Sequence, residues 1–525
     1  MSDTVCVVYD DRCPQSVVAA RYCHWFVRFV LQRETDLFDT GRQRVPSLFA
    51  GDQPRYAAAL ILSILDGEDR LTAADWANLQ AANRITPLFT FYRAAAVIAR
   101  NPAAAQLFGA VSAGDAELLT VAPAKLTYTD PVIAQAARAM TRDGQAEPLL
   151  SLPPPARPAG EFEVLTRWGE RIVAFRHELN VFDGQLRVVV PRTDFPLDQG
   201  RPSVFLRQLA QLARRFRPSC APPQRTVWPV CVRIDDPPAH WWVLRQPERM
   251  LQADDYRELA STLDRLDAKL TIMCVPATPQ GRGYVPWWEV SQEYRAALDC
   301  LRQGMAKGRM EIACHGLTHL TIGRRVPSRL RERFNRLLNP LHNPTREFYD
   351  DLRRCAIPVA EQRRAIRTSM DLLEGFFGRR PRAFTPGAHN WDDTTERAAA
   401  EEGINFFACD TTWTKFPPGG PLCKNPAPLG AVPQTDSRLV YLSRLLAWPP
   451  SVEDVEALHE LGVPLTISAH TYGSTSLRPD QLEAFLSMLK QFADHRHFTV
   501  SELGDLLLSE HRTVAGTDIH SASGE

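Results

Sequence analysis

From residue 226 onward the chain alternates short apolar runs with stretches of helical periodicity. Seven such runs occupy residues 227–234, 270–275, 310–314, 383–386, 406–409, 439–442 and 465–469, and helical patterns between them include 254–265, 291–303 and 360–377. Runs this short and this uniformly apolar suit strands of a parallel sheet, which is covered on both faces and so need not alternate polar with apolar residues. Their repetition predicts an incomplete, distorted (β/α) barrel. Chemistry in such barrels gathers at the C-terminal strand ends, and Asp235, Asp236, His315, Asp410 and His470 all fall there.

Two of these ends carry a recognisable pattern. Asp235-Asp236-Pro237-Pro238 follows the first run, and His315-Gly316-Leu317-Thr318-His319 follows the third, 80 residues further on. The i, i+4 spacing lets both imidazoles turn to one side of a helical turn and share a cation. One Asp and two His make a facial three-ligand set with open positions, as in a hydrolytic metal centre rather than a closed structural one. Two adjacent carboxylates can divide the work, one neutralising the metal and the other taking a proton from metal-bound water. Alone, Asp-Asp-Pro is an ordinary turn and His-x-x-x-His an ordinary coincidence; their joint placement after apolar strands is what points to a metal.

The pair resembles the first two motifs of the NodB-homology polysaccharide deacetylases, carbohydrate esterase family 4, and the resemblance covers residues 227–507. It implies a C-terminal distorted (β/α)7-type barrel in which Asp235 is the general base and Asp236, His315 and His319 are the metal ligands. The cofactor implied is a divalent metal, Zn²⁺ first, which lowers the pKa of its water to about 7 and polarises an acyl carbonyl.

The third motif is similar to Arg382-Ala383-Phe384-Thr385-Pro386-Gly387-Ala388-His389-Asn390-Trp391, with one departure. The family has an Arg ahead of the Pro to hold the catalytic Asp, and here Thr385 stands in its place. Arg233 or Arg382 could substitute, and strand alternation does not settle which points inward. Pro386 and Gly387 are expected to line the substrate pocket, with a backbone N–H there serving the oxyanion. His389-Asn390-Trp391 reads equally as substrate contact or as a loop capping the next helix. The fourth motif resembles Cys409-Asp410-Thr411-Thr412-Trp413, implying that Asp410 orients His470 and that Trp413 packs against substrate. The fifth, 465–470, ends in His470, the implied general acid for the departing amine. Trp241 and Trp242, just after the Asp pair, are candidates for stacking on pyranose faces, as are Trp287, Trp288 and Trp391; ordinary core packing is the alternative for each. The long stretch 324–357 between motifs reads as a lid or rim.

At 525 residues the chain is too long for one core. The expected organisation is an accessory α/β layered domain over 1–216, a Pro-containing linker over 217–225, the barrel over 226–512 and a disordered tail over 513–525. In the N-terminal part, residues 5–9 read as a buried strand, 14–32 as a helix, 58–65 as a second apolar run, and Thr72 as the cap of another helix. Further elements are read at 171–175, 186–190 and 203–216. Their order is faintly similar to amidotransferase-like, flavodoxin-like domains. No nucleophile elbow, P-loop or GxGxxG accompanies it, so the domain is read as non-catalytic, with Cys6, Cys13 and Cys23 as core thiols.

The charge balance, 61 basic against 61 acidic residues, provides no global field for nucleic acid. The sequence shows no signal peptide and no apolar run of about 18 residues, so no membrane span is expected and a cytoplasmic location is. Eleven cysteines without regular spacing read as reduced thiols. The function implied is a metal-dependent deacetylase acting on an N-acetylated sugar, polysaccharide or other glycoconjugate, with metal-bound water as nucleophile. Two alternatives stand beside it: a catalytically impaired glycan-binding or assembly module, and a related metal-dependent amidohydrolase such as a deformylase. The oligomeric state is left open.

Overall fold

The computed structural model describes residues 4–30, 33–50, 53–64, 68–81, 86–91, 94–108, 117–121, 127–128, 147–151, 162–168, 170–177, 180–183, 226–239, 251–281, 283–324, 345–350, 353, 355–409, 412–415, 423–426, 429–430, 439–471 and 476–514. Asp410, Trp241 and Trp242 lie outside this set, as do the elements read at 186–190 and 203–216, the Pro-containing stretch 217–225 and the tail beyond residue 514. The chain divides into two compact units, residues 1–224 with 452–462, and residues 225–451 with 463–525.

The N-terminal unit is built on one eight-stranded sheet. Its strands are β1 (Val5–Tyr9), β2 (Thr35–Asp39), β3 (Ala58–Ile61), β4 (Leu88–Phe91), β5 (Thr127–Tyr128), β6 (Phe162–Trp168), β7 (Arg171–His177) and β8 (Asn180–Asp183), in the order β2-β1-β3-β4-β8-β7-β6-β5. The β2 to β8 half is parallel and the rest antiparallel. Apolar residues of the strands (Cys6, Val8, Ala59, Ile61, Leu88) share a core with Trp76 and Leu79 of helix α1 (Ala73–Ala81) and with Val97 and Ile98 of helix α2 (Ala94–Arg100). This is an α/β layered domain. Thr72 caps α1 as read from the sequence: its hydroxyl accepts the Asp75 N–H, and the Asp75 carboxylate accepts the Thr72 N–H at 2.9 Å. Burial pushes the Cys6 and Cys23 thiols up, leaving both inert core groups.

All seven apolar runs of the C-terminal half are strands of one parallel sheet. They are β9 (Trp228–Asp235), β10 (Leu270–Cys274), β11 (Met310–Cys314), β12 (Ala383–Phe384), β13 (Phe406–Phe407), β14 (Val440–Tyr441) and β16 (Leu465–His470), joined by β15 (Leu446–Ala447) and β17 (His495–His497). The ladder runs β14-β13-β12-β11-β10-β9-β16-β15, and β17 pairs with the start of β9. β14 and β15 stand at opposite ends of this ladder although residues 442–445 alone separate them in the chain. A stretch of that length spans at most roughly 15–18 Å, so the sheet must curl until its ends meet. The connecting stretch bonds both ways: Leu442 N–H to Phe407 O at 2.9 Å and Arg444 N–H to Cys409 O at 2.9 Å on one side, Leu445 N–H to Thr466 O at 3.0 Å on the other. The result is the distorted (β/α) barrel expected from the strand count.

Amphipathic helices cover it. Helix α3 (Ala253–Arg265) buries Tyr256, Leu259 and Leu263, and α4 (Val359–Phe377) buries Ile366, Met370 and Leu373. Every residue of β9 is buried, including Arg233 and Asp235. Two charged groups on an otherwise apolar central strand are the first mark of a functional interior. No helix among the described residues is long and apolar enough to cross a membrane.

Candidate metal centre

Strand register assembles the site. β9 and β16 are parallel neighbours with Asp235 directly opposite His470. β11, on the far side of β10, ends at Cys314, so His315 begins the loop above it; the His315 N–H is held by Cys274 O at 3.0 Å and the Asp236 N–H by Met273 O at 3.1 Å. The ends of three strands thereby converge on one small volume. Among the described residues, non-glycine positions with positive φ are Asp236, Asp267, His319, Ala388 and His389. All but Asp267 belong to this site, so the sterically costly backbone of the barrel is concentrated where the chemistry is.

Asp236, His315 and His319 bring one donor atom each within 4.8 Å of one another. Asp236 Oδ1 stands 3.2 Å from His315 Nε2 and 3.3 Å from His319 Nε2. His315 Nδ1 lies 2.9 Å from the carbonyl oxygen of Thr385, which can only accept, so Nδ1 carries a proton and Nε2 is the ring nitrogen turned to Asp236. His319 Nε2 also faces inward as an acceptor, receiving the Ala388 N–H at 3.3 Å. A cation bound among these atoms would take the His319 lone pair from the Ala388 N–H, and two imidazole nitrogens with a carboxylate oxygen are a donor set that fits a divalent cation. Burial opposes a charge on His315, but the Asp236 and Asp235 carboxylates together with the Thr385 carbonyl outweigh it and hold its pKa above the ordinary value. The field that would keep a proton on this imidazole is the field that attracts a metal.

A second group, Asp235, His389 and His470, is gathered within the same radius. Its surroundings differ. Arg233 Nε lies 3.3 Å from Asp235 Oδ1, with both side chains buried, and His389 Nε2 lies 3.5 Å from Asp235 Oδ2. Burial alone would raise the Asp235 pKa; Arg233, followed by His315, His389 and His470, more than offsets it and keeps the carboxyl below its usual range. Burial lowers His389 well below the ordinary imidazole value and His470 below it too, with Arg444 pushing both in the same direction. The guanidinium already supplies positive charge beside Asp235, so this half of the site is suited to proton handling and not to a second cation. A third grouping, Asp10, Asp11 and Asp39 in the N-terminal unit, is met by Arg12 and Arg42.

The structure therefore brings Asp235, Asp236, His315, His319 and His470 together. It also decides between the two arginines: Arg233 faces Asp235, whereas Arg382 forms an exposed bidentate pair with Asp505 at 2.8 and 2.9 Å. Thr385 does not take the missing arginine's role, because its hydroxyl donates to Ala408 O at 2.5 Å. Gly387 is buried against His319, where a Cβ would stand 3.4 Å from the imidazole, and Pro386 is buried beside it. The Ala388 N–H is turned to His319. Trp413 lies on the strand Thr412–Lys415, opposite Asn425. Trp287 and Trp391 are core residues, not sugar platforms: Trp287 is fully buried, and the Trp391 indole donates to Glu396 at 3.0 Å. Trp288 stacks on Phe376 with ring centroids 4.7 Å apart.

Sequence reasoning missed Arg444 and Glu347, and gave no role at the base to His389. Arg444 is buried and donates to Ser468 Oγ at 2.7 Å, two residues before His470. Glu347 accepts backbone N–H groups of the His315–His319 turn. Neither carries a local pattern; only the fold brings them in. Of the stretch 324–357 read as a lid or rim, residues 325–344 lie outside the described residues; residues 346–350 are buried, with Glu347 against the His315–His319 turn.

Fold and site together define a (β/α)-barrel protein with a two-histidine, one-aspartate centre beside a buried Asp–His pair. No family model and no curated protein matches the chain. Among solved structures it is similar to a family 4 acetyl xylan esterase from Clostridium thermocellum in complex with a cobalt ion, at 15% identity and TM-score 0.28 over 53% of this chain and 91% of that one. A peptidoglycan deacetylase from Bacillus subtilis matches at 13% identity and TM-score 0.29, over 55% of this chain and 94% of that one. A family 4 carbohydrate esterase from Streptomyces lividans in complex with acetate matches at 13% identity and TM-score 0.27, over 51% and 91%. The site's own geometry, not these likenesses, carries the functional reading that follows.

Proposed function

We propose that the C-terminal unit is a metal-dependent hydrolase that removes acetyl or another small acyl group from an N-acetylated sugar, polysaccharide or related glycoconjugate. The observation that carries this is the β9–β16 register, which sets Asp235 against His470 immediately beside the Asp236, His315 and His319 donors. Asp236, His315 and His319 hold the cation. When bound, a divalent metal would polarise an acyl carbonyl and acidify a water at neutral pH. Asp235, held by Arg233 and His389, is the base that accepts a proton from the attacking water. His470, on the opposite strand, donates a proton to the departing amine or alcohol. The pocket wall would include Pro386 and Gly387, with Trp413, Trp241 and Trp242 as candidate sugar contacts and Asp410 as the partner that orients His470.

A buried base with two partners favours turnover over a binding module that has lost its chemistry. Arg233 supplies at Asp235 the positive charge that the third motif lacks. The test is acyl release from N-acetylated and N-formylated glycan oligomers, with acetate and formate quantified separately. The proposal expects release by the wild type and a loss of about 10²–10⁴-fold in kcat for Asp235→Asn and for His470→Ala. Unchanged release by both variants would refute the assignment, and formate as the sole product would move it to deformylation.

A further inference from the structure

We infer that Glu347 is a positioning residue for the metal ligands, fixing the His315–His319 turn before any cation arrives; the inference rests on the metal-centre reading above. The Glu347 side chain is almost wholly buried. Its carboxylate accepts three successive backbone N–H groups: Leu317 at 2.8 Å and Thr318 at 3.2 Å on Oε1, and His319 at 3.0 Å on Oε2. Consecutive N–H groups converging on one acceptor form a nest, and here the acceptor is the protein's own Glu347 carboxyl group. Gly316 makes the approach geometrically feasible. It sits at φ +79°, and a Cβ there would lie 2.0 Å from Glu347 Oε2, in the space the carboxylate fills.

The segment carrying Glu347 is itself anchored to the turn. The Ile322 N–H donates to Glu347 O at 3.0 Å and the Thr321 hydroxyl to Arg346 O at 3.0 Å. On its other side, Thr345 O would lie 3.2 Å from a Cβ on Gly387, the glycine that packs on the His319 ring. Residues 345–350 are thus wedged between the ligand-bearing turn and the end of β12. His319 itself has φ +54°, a conformation that must be held by its neighbours. Without the carboxylate, the buried His319 N–H and the half-buried Leu317 and Thr318 N–H groups would lose their acceptor and the turn would relax, moving His319 relative to His315 and Asp236. Glu347 touches no reacting atom. It acts through the backbone of the ligands, as outer-sphere partners do in metal sites.

The test uses Co²⁺ as the probe on full-length, chelator-stripped protein, measuring its dissociation constant by calorimetry and its visible absorption bands. Glu347→Gln is expected to weaken Co²⁺ binding about 10–100-fold and to alter the bands, since ligand geometry changes. A variant that melts earlier but binds Co²⁺ as tightly as wild type, with the same spectrum, would show a merely structural role and overturn the inference. Wild type that binds no Co²⁺ would remove the metal-centre reading itself, an outcome distinguishable from the previous one. Should Glu347→Gln not fold, hydrogen exchange on metal-free wild type decides. Protection of the Leu317, Thr318 and His319 amides is expected, and exchange at the rate of open amides would overturn the inference.

Discussion

The Arg233–Asp235 pair yields the most quantitative prediction. At 3.3 Å between Nε and Oδ1, with both side chains buried, Coulomb attraction at an effective dielectric constant near 20 is about 5 kcal/mol. Desolvating two ions consumes much of that, but removing one partner leaves the other buried and uncompensated, which costs about 3–5 kcal/mol. Arg233→Met and Asp235→Asn should each destabilise the barrel on that scale. The double variant should cost about 2–3 kcal/mol less than the sum, because neither charge is then left alone. Native-state hydrogen exchange of the β9 amides in metal-free, full-length protein reads the barrel's stability without unfolding the N-terminal unit. Additive single effects, within about 0.5 kcal/mol, would refute the claim that Arg233 holds the base.

Further predictions concern packing, pH and chemistry. Gly504 sits on helix Val500–Val514 against Phe406, where a Cβ would lie 2.2 Å from the ring; Gly504→Ala should lower thermal stability by about 1–3 kcal/mol despite alanine's better helix propensity. Burial lowers the His497 pKa from 6.5 to about 4, so the folded state binds fewer protons than the unfolded chain between those values. The stability it contributes is present above about pH 6.5 and is lost, by up to about 3 kcal/mol, as pH falls toward 4. His497→Gln should flatten that slope in urea melts across pH 4–7, and an unchanged slope would reject the assignment.

How much could be read from the sequence depended on how local the signal was. The seven strands of the C-terminal unit were legible because a parallel strand covered on both faces is a continuous apolar run, and because Asp235, His315 and His470 each follow one directly. Barrel closure was less visible: it depends on residues 442–445 bonding to both ends of the ladder, and no periodicity announces that. His315 and His319 could be paired by spacing alone, whereas Glu347 meets them through backbone N–H groups about 30 residues away. Arg233 and Arg382 were equal candidates in the sequence, because strand alternation does not settle which of them points inward. The choice is made by the fold, which sets Arg233 Nε 3.3 Å from Asp235 Oδ1 and turns Arg382 to Asp505. His389 owes its place to positive φ at Ala388 and at His389 itself, a backbone choice that residue type does not disclose at a non-glycine position.

The central claim is that Asp236, His315 and His319 form a metal centre. Its most direct test is to strip the full-length protein with chelator, titrate Zn²⁺ by calorimetry, and repeat the titration with His315→Ala. The structure predicts one tight site per chain in the wild type and its loss in the variant. Absence of a site in the wild type, or a site of equal affinity in His315→Ala, would contradict it.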